Sequence, residues 1–190
     1  MDYKTRMMYR RRRTYTVLVL LALIGVIWWG ISAMRADTGA KPAASASPKV
    51  LKSCSSKAVE VKALVGDGTQ VQTQFAKDVN PMIWFSLTNL TKHACTFEAG
   101  SIGQFYTITT GPDTVWESAK CDRSGDASAL VTLQPGKTIS SPPSAWMKVS
   151  SSDTGCGEGQ KPVVTGGASY HLSVTVNGFK SSNDMQFVLN

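Results

Sequence analysis

Histidine is scarce. Only His93 and His171 occur in 190 residues, so acid–base chemistry near neutral pH has two imidazoles to draw on. None of the serines at 140, 141, 144 or 150 to 152 sits in a Gly-x-Ser-x-Gly elbow, which leaves a hydrolase of that type without its nucleophile turn. Short paired cysteine spacings are missing too, and with them the ligand pattern of a structural zinc site. No internal repeat is present, and beyond residue 34 no stretch combines helical period with helical length. Positive charge is also absent where nucleic acid would need it. The formal +7 divides into +5 within residues 1–13 and +2 for the whole remainder, so the basicity belongs to the head and not to a phosphate-binding face.

What the chain does have begins at that head. Lys4, Arg6 and Arg10 to Arg13 precede an uncharged apolar run over residues 14–34, which ends near the pair Trp28 and Trp29; Arg35 follows. A helix of that length spans roughly 30 Å, one bilayer. The basic flank keeps the amino terminus cytoplasmic and sends the rest of the chain out, with an anionic inner leaflet as the partner of the basic tail. A cleaved signal peptide has the same layout, with Met34 to Ala36 as a poor processing site. The long core and the interfacial tryptophans favour an anchor. Arg12 and Arg13 lack the rest of a twin-arginine signature, and the LKSC at 51–54 lies too far past the run to be a lipoprotein box.

Residues 35–50 are rich in Ala, Ser, Pro and Gly, the composition of a flexible spacer. Residues 51–190 are enough for one domain. In that domain β-branched and aromatic residues recur at period two between turn residues. Val59, Val61 and Ala63 alternate with polar neighbours, as do Val71, Thr73 and Phe75. Residues 81–89 form the most apolar segment and are expected to be central, with Ile83, Phe85 and Leu87 on one face. Residues 105–109 and 114–117 flank a hairpin connection at 110–113, and residues 129–133 run into Gln134-Pro135-Gly136-Lys137, which fits a type II turn. Tyr170, Leu172, Val174 and Val176 alternate cleanly, and residues 187–189 close the chain. The pattern predicts an all-β, antiparallel sandwich.

All four cysteines, Cys54, Cys95, Cys121 and Cys156, fall on the outer side of the anchor, and an even count there argues for two disulfides. Of three pairings, Cys54 with Cys95 and Cys121 with Cys156 is preferred, since each bridge ties an irregular segment to a nearby element without threading the other. The segments ITTGPDTVWES (108–118) and LVTLQPGKTI (130–139), with Trp146 downstream, resemble the hairpin, Leu-x-Pro-Gly turn and tryptophan of the BsuPI-type proteinase-inhibitor domain. The basic start, single apolar pass, spacer and four cysteines are similar to uncharacterised single-pass envelope proteins of actinobacteria. The resemblance implies an immunoglobulin-like sandwich. It carries no inhibitory residue over.

Candidate sites are few. His171 has the phase of Ser173 and Thr175 and is expected to face outward, while His93 lies in the turn-like NLTKHAC. Asp113, Glu117, Asp122 and Asp126 gather acidic charge, and CDRSGDAS only partly matches a calcium loop. Asn89-Leu90-Thr91 is a glycosylation sequon that marks an exposed turn. Trp84, Trp116 and Trp146 are the candidate binding residues. Period two sets Trp84 opposite Ile83 and Phe85, toward solvent or a second layer, where an exposed indole would anchor a partner. Burial of all three in the core is the alternative. The expected function is a membrane-anchored, non-catalytic binding module for an envelope protein or cell-wall component, without cofactor. An inhibitor of an extracellular peptidase is the alternative.

Overall fold

Residues 51–190 are described by the computed structural model; the basic tail (1–13), apolar run (14–34) and spacer (35–50) lie outside the described residues. Period-two alternation becomes strands wherever one face can be covered. Strand β1 (Val59–Gly66) buries Val59, Val61, Ala63 and Val65, and runs antiparallel beside β3 (Met82–Asn89), from Val59 opposite Asn89 to Gly66 opposite Met82. The expected central strand is central. On its other side β3 pairs with β8 (Thr138–Ser140) and then β9 (Ser144–Ala145). Pro142 and Pro143 fall between these two short strands, where missing N–H groups cost no ladder bond.

The second sheet is built on β10 (Ala168–Val176), whose Tyr170, Leu172, Val174 and Val176 are buried as their alternation predicts. Strand β5 (Gln104–Thr110) lies on one side, with β6 (Asp113–Glu117) beyond it. Strand β12 (Met185–Leu189) lies on the other, with the parallel two-residue β2 (Gln74–Phe75) outside it. Strand β11 (Phe179–Lys180) folds back on the end of β10. A separate ribbon joins β4 (Cys95–Glu98) to β7 (Leu130–Leu133). The chain is thus all-β with nearly all pairs antiparallel, and the two larger sheets meet across a shared core in a sandwich-like arrangement.

Aromatic rings join the layers. Phe85 of β3 lies 6.3 Å from Tyr106 of β5, and Trp146 sits edge-on to Tyr170 and Phe187 at 5.6 and 5.9 Å. Phe179 against Phe97, at 5.0 Å, fastens the ribbon to the second sheet.

Some local expectations shift. The 110–113 connection narrows to Gly111 and Pro112, because Thr110 and Asp113 pair with each other. Gly136 has φ +63° and the Lys137 N–H reaches Gln134 O at 3.1 Å, the geometry of the expected type II turn. The alternation at 71–75 overstates its strand. Val71 and Thr73 are exposed and only Phe75 is buried, since β2 touches β12 through two residues alone. Strand β4 was not legible at all; four residues beside a bridged cysteine give too short a pattern.

One lateral side of the sandwich is sewn shut. The Asn183 side chain accepts from Ala63 N–H at 2.8 Å and donates to Ala63 O at 2.9 Å, while Ser182 N–H reaches Val61 O at 2.8 Å. A side-chain amide thereby stands in for a neighbouring strand at the β1 edge. Asn183→Ala should cost about 2 kcal/mol, from two lost hydrogen bonds and an unpaired edge. Urea denaturation measures this, and an unchanged midpoint would refute the role.

Candidate functional site

The opposite lateral side is open. There β9 and the following Trp146 and Met147 face Gln104 and Tyr106 of β5 and Trp116 of β6, across a cleft of about 340 Å³. Its third wall is the Cys121–Cys156 disulfide with Ser118, Arg123 and Asp126 around it. Both disulfides have the preferred pairing, Cys54 with Cys95 and Cys121 with Cys156, and no free cysteine remains.

The β6 wall is held from outside. Trp116 Nε1 donates to Cys156 O at 2.9 Å, Ser151 N–H donates to Val115 O at 3.0 Å, and Glu117 N–H donates to Ser151 Oγ at 2.9 Å. The irregular chain around 150–157 thus covers the β6 edge, and the disulfide fixes it. Across the cleft, Trp146 Nε1 donates to Val149 O at 3.1 Å. Both indole N–H groups are committed internally.

Charge in the cleft is balanced. Arg123 lies 4.5 Å above the Phe105 ring, donates to Ser101 O at 2.8 Å and to Gln104 O at 3.2 Å, and meets Asp126 Oδ2 at 2.6 Å. The guanidinium is therefore a structural pin with its countercharge beside it. Tyr106 stays neutral as well, because burial pushes its phenol up to about 12, against the downward pull of a hydrogen bond with Ser141. Below about pH 10 the phenol is protonated in both folded and unfolded chains, so its contribution is fully present. As pH rises from about 10 to 12 the unfolded chain releases the proton first, and stability falls by about 2–3 kcal/mol across that window. Burial raises the Tyr170 phenol as well, so tyrosinate absorbance should show late ionisation from both, and Tyr106→Phe should remove the component near 12; ionisation of every tyrosine near 10 would contradict this.

Trp84, Trp116 and Trp146 are 7, 8 and 1% exposed, so none of them stands out from the surface as an anchor. Trp84 does lie on the β3 face opposite Ile83 and Phe85, but it is covered there. It packs on Gly66, where an added Cβ would come within 2.9 Å of its ring. Trp116 and Trp146 line the cleft and Trp84 does not.

The other candidates scatter. His171 lies on β10 with Nδ1 3.1 Å from Asp184 Oδ2, and His93 is exposed; neither lines the cleft. Asp122 accepts from Ser124 N–H, and Asp126 is held by Arg123, so these carboxylates do not converge. Among the described residues no three His, Cys, Asp or Glu side chains gather as metal ligands. Asn89 corrects the expectation of an exposed sequon. It is 0% exposed, with Nδ2 donating to His93 O and Leu133 O at 2.8 and 2.9 Å and Oδ1 accepting from Thr91 N–H at 2.9 Å. Only the neighbouring Leu90 is exposed.

Sequence reasoning did not find β9, Met147 or Arg123 as parts of a site. One signal was available: adjacent prolines at 142 and 143 fit only an edge strand, and so mark where a sheet stops.

No protein-family model matches the chain, and no curated protein matches it. Among solved structures it is similar to a mutant β-glucosidase from Listeria innocua in complex with laminaribiose, at 10% identity and TM-score 0.34, over 70% of this chain and 16% of that one. It is also similar to a β-glucosidase from Listeria innocua in complex with gluconolactone, at 12% identity and TM-score 0.31, over the same shares of the two chains. This chain therefore spans 16% of the length of those enzymes. Likeness of that degree assigns neither a fold family nor an activity.

Proposed function

We propose that the chain is a membrane-anchored, extracytoplasmic binding module without catalysis of its own. Residues 14–34 hold it in the bilayer, residues 35–50 supply reach, and an immunoglobulin-like sandwich in residues 51–190 meets an envelope protein or a cell-wall component. The observation that carries this reading is a cleft with a disulfide in its wall. All four cysteines are bridged, which suits an oxidising compartment. One bridge stiffens the concavity at the open side of the sandwich, as a preorganised binding site requires. The cleft holds no histidine, and its one arginine and one acid neutralise each other, an arrangement suited to contact more than to proton transfer.

Two measurements test it. Protease added to intact cells should remove residues 51–190 and spare the membrane segment; a protected C-terminal portion would reject the topology. A photo-crosslinker placed at Met147 should capture a partner in intact cells, while one at exposed Leu130, which does not line the cleft, should capture far less. Equal capture from both positions would reject the cleft as the contact.

A further inference from the structure

We infer that the cleft receives an extended peptide from another protein, laid as an added strand along β9 with one uncharged, apolar side chain inserted beside Met147. The inference rests on the binding reading above and names the ligand class of the same site.

The first observation is an unpaired backbone edge running along the cleft wall. In an antiparallel ladder the groups of alternate residues point to the partner strand and away from it. Trp146 N–H bonds Pro81 O, and Ser144 stands opposite Ile83 in the same register. Ala145 between them therefore turns its N–H and C=O away from β3. No backbone bond meets them among the described residues, and Ala145 is exposed. Lys137 and Ser141, which flank β8, point inward and bond Asn89 and Phe85, so Thr138 and Ser140 point outward by the same rule. The edges of β1 and β6 are covered by Asn183 and Ser151; nothing among the described residues covers this edge.

The second observation is what the cleft beside that edge accepts. Met147 is 44% exposed and, with Trp116, Tyr106 and Ile83, gives an apolar lining. Arg123 already donates to three carbonyls and pairs with Asp126, so a charged guest would lose its water and find no free countercharge. A saccharide would need open aromatic faces and free polar donors. Both indole N–H groups are spent internally and Trp146 is almost fully enclosed. A strand brings its own donors and acceptors for Ala145 and drops alternate side chains toward one face, the arrangement of strand-addition recognition. Pro142 and Pro143 interrupt the ladder on the β8 side, so the backbone contact is short and the inserted side chain supplies much of the selectivity.

The test uses the full chain in detergent and the capped peptide acetyl-Thr-Thr-Leu-Thr-Thr-amide, titrated to millimolar concentration by tryptophan fluorescence. Saturable binding is expected. In parallel addition the Leu N–H meets Ala145 O while its side chain takes the face of Ile83, so binding should weaken about tenfold when the Leu amide is N-methylated, as for one lost backbone hydrogen bond, and at least as much when Leu becomes Glu or Lys. Ala145→Pro should reproduce the loss from the protein side, and Met147→Glu should abolish binding, both with the melting temperature unchanged. No binding by the Leu peptide, equal binding of its N-methylated form, or saturation by a neutral tetrasaccharide instead would overturn the inference. If the peptide fails while the Met147 crosslinker still captures a partner on cells, strand addition alone falls; if both fail, the cleft-binding reading falls with it.

Discussion

Reduction of the two disulfides should lower the unfolding free energy of residues 51–190 by about 7–8 kcal/mol, close to the whole stability of an ordinary domain. The bridges close loops with sequence separations of 41 and 35 residues, and the loops do not overlap. In the chain-entropy account each removes about 4 kcal/mol of disorder from the unfolded chain, and separate loops add. The two should differ in what they protect. Cys54–Cys95 ties the start of the domain to β4, so the Cys54→Ala, Cys95→Ala double variant should loosen the β4–β7 ribbon and spare the cleft. Cys121–Cys156 lies in the cleft wall, so its removal should expose the Trp116 side first. Guanidinium denaturation with and without reductant measures the sum, and hydrogen exchange at β4 and β6 separates the two. An unchanged midpoint under reductant would refute the account.

Asn89→Asp should cost about 3–5 kcal/mol at neutral pH, more than Asn89→Ala, although the shape barely changes. The amide nitrogen of Asn89 donates to two carbonyl oxygens, of His93 and Leu133, with no solvent exposure. A carboxylate oxygen there would set a charge against two acceptors and lose both bonds. The folded variant can relieve this only by binding a proton, so its Asp pKa must rise far above the unfolded value. The deficit should then shrink as pH falls toward about 4, where the unfolded chain also becomes protonated. Thermal melts of both variants at pH 7 and pH 4 decide it. An Asp variant no worse than the Ala variant at pH 7 would show that the amide bonds are not what ties the end of β3 to β7.

The strands of the core are largely legible in the sequence. Val59 to Val65, Ile83 to Leu87 and Tyr170 to Val176 bury the residues their alternation selects, because a pleated strand gives every second side chain to one face. Short pieces are not. Strand β4 has four residues and β9 has two, too few for a period, and they are strands only because β7 and β3 supply partners. Trp84 shows the limit of the same rule. Period two placed it correctly opposite the core, yet could not say that Gly66, eighteen positions earlier, would let its ring lie down under cover.

The sequence by itself determined the all-β class, the inward residues of the long strands, the turn at Gly136 and a cysteine set ready for two bridges, since each depends on alternation or chemistry within a few residues. Tertiary structure alone decided which side of the sandwich is closed and which is open. That choice turns on pairs such as Asn183 with Ala63 and Trp116 with Cys156, 120 and 40 positions apart, and on the absence of any such partner for Ala145 among the described residues. Strand edges advertise the same N–H and C=O groups whatever their sequence. Whether they are covered is settled only when distant parts of the chain arrive beside them.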